Sequence, residues 1–194
     1  RKLMNLNRPR LAERALDASA DAGELAALFA GLRFADPAKA ASLWKRLLPP
    51  AGSAPPPAGN IEVLLDELAS SPDPDMALLN LVRFVEATIA PGHFLSSVYL
   101  ARPICRLLVT IFSCSFHLTD ILRRSPGALS WLIEGRTLEN TKAHSVYRFE
   151  LARQIEPFQD PRRRLNSIKR YHRRETLRIG ARDLLGFAAV EELT

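Results

Sequence analysis

Between Arg162 and Arg182 the stretch RRRLNSIKRYHRRETLRIGAR carries nine arginines and lysines against one acid, Glu175. Cations at this density are suited to holding anions, because a guanidinium fork matches phosphate or carboxylate geometry with two parallel hydrogen bonds. Wound as a helix, the stretch sorts its residues. Leu165, Ile168, His172 and Ile179 fall near one stripe, and Leu177, Ala181, Leu184 and Ala188 fall on the adjoining one. Arg163, Lys169, Arg170, Arg173 and Arg174 are left largely outward. Like charges three and four residues apart repel by a few tenths of a kcal/mol per pair, so an anion or acidic surface is expected to compensate them. Lys169, Arg170, Arg173 and Arg174 are therefore the candidates for docking a protein partner, set against the plainer reading of a solvated helix face.

Arg178, Arg182 and Asp183 differ, because LRIGARDLLG mixes them into the apolar part of the helix, where a charge must be paired or used. Arg178 and Arg182 lie one turn apart with Asp183 beside them. Two readings stand: an internal ion-pair network tying this helix to its neighbours, or contact with a substrate or nucleotide phosphate. No glycine-rich phosphate loop, His/Cys metal spacing or nucleophile elbow occurs, so no catalytic residue and no metal ligand is assigned in this chain. His93, His117, His144 and His172 are scattered. His117 and Asp120, three apart, read as a local hydrogen bond rather than a metal site. A net charge of +6 and a pI near 9.8 favour anionic partners without choosing among them. Nucleic acid is disfavoured, since Tyr171 is the lone aromatic platform among the cations.

The elements that must carry these residues are helical. Apolar residues recur at three and four, and no window alternates β-branched residues, which predicts an all-α fold built as an irregular multi-helix bundle, with an α-solenoid of helical hairpins as the alternative. Asp21 with Glu24 has capping-box spacing, Asp36 with Pro37 reads as an N-cap followed by proline, and Asn60 precedes IEVLLDELA. After SSPDPD, the residues Leu78, Val82, Val85 and Ile89 predict a core helix ending at APG. A further segment starts at Pro103, a short helix carrying Leu129, Trp131 and Leu132 starts at Ser125–Pro126, and Ala143, Tyr147, Leu151 and Ile155 mark a helix ending at EPFQDP. The last helix is predicted from about Arg163 to the end of the chain.

The proline- and glycine-rich PPAGSAPPPAGN places a linker at 49–60, between an N-terminal helical piece, 1–48, and a main bundle, 61–194. The piece is expected to dock back, because Leu43, Trp44 and Leu47 would otherwise expose an apolar face. Cys105 and Cys114 lie about 13 Å apart on a helix, beyond the roughly 7 Å that a bridge allows, so both are expected as reduced core thiols in a cytoplasmic compartment. The longest apolar run, ICRLLVTIFSCSFHL, is shorter than the roughly 20 residues of a membrane span and is interrupted by Arg106, so no membrane partner is expected. The chain opens at Arg1 and is expected to be a piece of something longer.

IFSCSFHLTDILRRSP, followed about fifty residues later by RRETLRIGARDLLGFAAVEELT, resembles the glutamine synthetase adenylyltransferase/deadenylase family. A weaker likeness runs back through ALLNLVRFVEATIAP and GLRFADPAKAASLWKRL. The resemblance implies a helical region preceding the first nucleotidyltransferase domain, of polymerase-β-like type, in an enzyme of nitrogen regulation. Such an enzyme transfers AMP from ATP to a tyrosine of glutamine synthetase and removes it by phosphorolysis, under a PII signalling protein and glutamine. It implies ATP or ADP with magnesium or manganese in the parent enzyme, held at a Ser-Asp-x-Asp motif. That motif does not occur in this sequence, so none of these cofactors is expected to bind this stretch by itself, and it is expected to be inert alone. The alternative is a non-enzymatic helical scaffold that binds an acidic protein partner.

Overall fold

The computed structural model describes residues 8–16, 21–50, 52–135 and 137–187. Every regular element among them is helical: α1 (Arg8–Leu16), α2 (Ala22–Gly31), α3 (Pro37–Leu47), α4 (Ala58–Ser70), α5 (Pro74–Glu86), α6 (Arg102–Cys114), α7 (Phe116–Arg124), α8 (Gly127–Ile133), α9 (His144–Ile155) and α10 (Pro161–Leu184). Two 3₁₀ turns, Pro91–Ser96 and Val98–Leu100, join α5 to α6. The fold is all-α and multi-helix. No single helix among the described residues is long and apolar enough to cross a membrane.

The chain forms two compact units that divide between Thr119 and Asp120, within α7. The first contains the segment read as a linker: its last residues, Ala58–Asn60, form the first turn of α4, and α1 and α3 on one side of it pack against α4 and α5 on the other. Leu43, Trp44 and Leu47 are buried. Trp44, with no exposed surface, donates its indole N–H to the Ala15 carbonyl at 2.7 Å and sits 5.7 Å from the Phe29 ring, which meets Phe34 edge-on. A second aromatic group joins α5 to α6 through Phe84 and Phe112, 5.6 Å apart, with the Asn80 amide donating to the Phe112 carbonyl. Asp75, at the start of α5, accepts from the backbone N–H groups of Ala35 and Asp36 and so fixes the entry to α3.

Local signals act as expected at several helix starts. Asp36 and Asp73 each accept from the N–H three residues on, at Lys39 and Met76, with proline in the first turn. Others differ. Asp21 occupies the N-cap of α2 without a side-chain cap bond. The start read at Asn60 moves to Pro57, since Asn60 lies inside α4 and turns its amide to the Leu95 carbonyl. Ile89 is not a core residue: α5 ends at Glu86, and Ile89 is fully exposed beyond it. Cys105 is a buried free thiol pushed up to about 12 by burial, but Cys114, the last residue of α6, is free and exposed rather than a core thiol.

In the second unit Asp120 pairs with Arg123 and Arg124, while His117, in the first, is exposed. The unit's small apolar core comprises Ile121, Leu122, Leu129, Leu132, Leu177 and Ala181. α10 runs beside both α8 and α9. Asp160 caps its N-terminus by accepting from Arg162 and Arg163 N–H. Its C-terminus comes earlier than the sequence periodicity suggests. Gly186 takes φ +73°, with Phe187 N–H bonded to the Arg182 carbonyl and Gly186 N–H to the Asp183 carbonyl, which is the Schellman arrangement that only glycine enters without strain. Ala188 lies outside the described residues.

Candidate anion-binding site on the basic helix

α10 carries its charges on two faces. The inner face is a polar stripe: Tyr171, Glu175, Arg178 and Arg182, at spacings of four, three and four, are all buried. Arg178, only 2% exposed, donates from Nε to Glu175 at 2.8 Å, from one terminal nitrogen to the Asn140 carbonyl at 2.8 Å, and from the other to the Tyr147 hydroxyl. Arg182 donates to the Leu138 carbonyl at 2.6 Å and to the Phe187 carbonyl at 3.2 Å. The two arginines therefore fasten the segment between α8 and α9 onto α10. Asp183, beside them in sequence, is exposed and lies off this stripe. Leu165, Ile168 and His172, placed near an apolar stripe by periodicity, are exposed instead, because the face that α9 covers is the polar one.

Lys142 completes the inner network. Its ammonium lies 2.7 Å from Glu150 and 2.8 Å from Glu175, and Tyr171 donates its hydroxyl to Glu150 at 2.9 Å. Burial on its own would raise the Glu150 carboxyl, but Lys142 and Tyr171 outweigh it and hold the group below its ordinary value. Burial would likewise lower Lys142, yet Glu150 and Glu175 hold it raised. The Tyr171 hydroxyl is also raised, by burial and by the Glu150 carboxylate that accepts its hydrogen bond. The depressed Glu150 value implies stability that is present above its unfolded pKa of about 4.3 and is lost as pH falls through the folded value. The raised Lys142 and Tyr171 values imply stability present below their unfolded pKa values near 10 and lost as pH rises through the folded ones. Thermal melts of the native chain and of Glu150→Gln should differ most near neutral pH and converge as the solution is acidified.

The outer face is a cleft of about 510 Å³ to which α10 contributes Lys169, Arg170, Arg173 and Arg174. Asn166 and Ser125 add uncharged polar groups, and Ile121 and Ala128 contribute apolar wall. Arg174 lies over the Trp131 ring at 5.1 Å, a cation–π contact that ties it to α8. No carboxylate lines the cleft, and none of these cations has an ion pair among the described residues. Glu175, the one acid within the basic stretch, is turned to the other side of the helix by Arg178 and Lys142. The docking candidates are thus brought together, apart from the buried Arg178 and Arg182. Among the described residues no group of three or more His, Cys, Asp or Glu side chains is placed to hold a metal ion.

Sequence periodicity missed Tyr171 and Glu175 as inner-face residues. Their signal was the spacing of Glu175 to Arg178, an i,i+3 pair of opposite charge inside an otherwise cationic run.

Residues 105–194 match the family model described as glutamate-ammonia ligase adenylyltransferase. The chain belongs to this family. The match contains both faces of α10 and every residue of the inner network and the cleft. Among curated adenylyltransferase relatives, the bifunctional glutamine synthetase adenylyltransferase/adenylyl-removing enzyme of Mycobacterium marinum is 34% identical over 133 residues, covering 67% of this chain and 13% of the relative. The enzyme of the same description from Streptomyces avermitilis is 36% identical over 159 residues, covering 79% of this chain and 14% of the relative. That from Mycobacterium tuberculosis H37Rv is 30% identical over 133 residues, covering 67% and 13%. The chain thus spans about one seventh of the length of the adenylyltransferases it matches. No solved structure matches it.

Proposed function

We propose that this chain is the helical region leading into the first nucleotidyltransferase domain of an enzyme that adenylylates and deadenylylates glutamine synthetase in nitrogen regulation. Its role there is positional: α10, tied down along its inner face, presents a rigid helix toward the domain that does the chemistry. The observation that carries this reading is the family match over residues 105–194, which includes α10 and its buried arginine clasp. The reactive groups belong elsewhere in the parent. The sequence holds no Ser-Asp-x-Asp motif, and its buried arginines are spent on internal acceptors rather than turned to a ligand.

In the parent enzyme the carboxylates of a Ser-Asp-x-Asp motif would hold magnesium or manganese, which would supply charge stabilisation for AMP transfer. Glutamine synthetase is the protein substrate and a PII protein the regulator, in the cytoplasm. Incubated with adenylylated glutamine synthetase, magnesium and phosphate, the full-length parent should release the adenylyl group, whereas this chain alone should release none.

A further inference from the structure

The cleft between α8 and α10 has a use that the positional role leaves untouched. Four cations, Lys169, Arg170, Arg173 and Arg174, come from successive turns of one helix and face a concave space of about 510 Å³, within the range of about 300–1,000 Å³ typical of small-ligand sites. One turn of helix is about 5.4 Å, so Lys169 and Arg173, and likewise Arg170 and Arg174, place their charged ends within reach of one compact ligand. Their mutual repulsion has no carboxylate to relieve it within the cleft. Burial of Glu175 on the opposite face removes the one acid the stretch could have offered.

The chemistry of the ligand follows from charge and from what is missing. A phosphate group carries about −1.5 to −2 charge near neutral pH, so two or three linked phosphates match these four positive charges where one does not. Arginine forks bind phosphate oxygens two at a time, and the Ser125 hydroxyl and Asn166 amide can donate to the remaining ones. A protein partner needs apolar or aromatic anchors at the centre of its contact. Here the apolar wall, Ile121 and Ala128, is itself almost fully buried, and the nearby indole of Trp131 is taken up by Arg174.

We infer that the α8–α10 cleft binds a compact anion of two or three linked phosphate groups, free or as the phosphate chain of a nucleotide. The inference rests on this geometry and not on the proposed function, so either can fail alone.

Calorimetric titration of the 194-residue chain with inorganic triphosphate, pyrophosphate, orthophosphate and ATP, in physiological salt, tests it. Triphosphate and pyrophosphate should bind one per chain, and orthophosphate more weakly. Arg173→Ala and Lys169→Ala should each weaken triphosphate by about tenfold, the loss expected for one charge-assisted hydrogen bond. Arg163→Ala, on the first turn of the same helix and outside the cleft, should change it less than about twofold, because exposed charges at that distance are screened. ATP binding equal to triphosphate identifies the phosphate chain as what is read, and tighter ATP binding adds a nucleoside contact; both support the site. Circular dichroism melts should be unchanged in all three variants, whose side chains are exposed. Equal losses for Arg163→Ala and Arg173→Ala would reduce the effect to diffuse charge and overturn the site. So would absence of binding, or a glutamate-rich peptide of matched charge that binds as tightly as triphosphate and displaces it, since that result describes an acidic protein surface.

Discussion

Replacing Arg178 by methionine should cost the second unit about 3–5 kcal/mol, measured by urea unfolding, because the change removes one partner of a buried charged network and leaves the others in place. Glu175 loses one of its two cations, the Asn140 carbonyl loses its donor, and the Tyr147 hydroxyl loses the guanidinium that bonds to it. Methionine fills much of the volume, so the loss reports the polar network rather than a void. Arg178→Lys keeps the charge but not the three-way fork and should fall between the two. Arg170→Met, on the outer face, should be nearly neutral. The unit is sensitive to Arg178 because its apolar core is small, so the stripe that would ordinarily be leucine and valine is here held by Tyr171, Glu175, Arg178 and Arg182.

Trp44→Ala should destabilise the first unit by a comparable amount, about 3–5 kcal/mol, through a different cause: the cavity left by a large buried ring. The indole has no exposed surface, packs against Phe29, and bonds through its N–H to the Ala15 carbonyl, so three helices lose contacts at once. Trp44→Phe should recover most of the packing and leave the cost of the unpaired Ala15 carbonyl, about 1–3 kcal/mol. Unfolding followed by circular dichroism in urea measures both. Equal losses for Trp44→Phe and Trp44→Ala would make the hydrogen bond, rather than the ring, the stabilising element.

The helices were legible wherever a local rule decides. Asp36–Pro37 and Asp73–Pro74 start helices because an aspartate side chain takes an orphan N–H and proline suits the first turn, and both causes lie within four residues. Apolar periodicity located the buried faces of α3, through Leu43, Trp44 and Leu47, and of α5, through Leu78, Val82 and Val85, for the same reason. It failed at Ile89, where the helix stops one turn short, and at Asn60, where Pro57 starts the helix before any strong side-chain cap appears. α10 is the informative failure. Periodicity assumes that the inner stripe is apolar, but α9 and the segment before it bring Lys142, Tyr147, Glu150 and backbone carbonyls, acceptors and donors that only a polar stripe can satisfy. Those partners come from 20 to 45 residues away in sequence, beyond the reach of a local pattern. The outward cations were legible because exposure needs no partner. That they line one cleft depended on where α8 lies, which no spacing in α10 encodes.

In the proposed function this chain positions an adenylyl-handling domain without doing the chemistry. Release of labelled adenylyl groups from modified glutamine synthetase should be compared for the full-length parent, for the parent with its Ser-Asp-x-Asp carboxylates replaced by asparagine, and for this chain alone. Turnover is expected from the first and from neither of the other two. Turnover by the isolated chain, or undiminished turnover by the parent lacking those carboxylates, would contradict it.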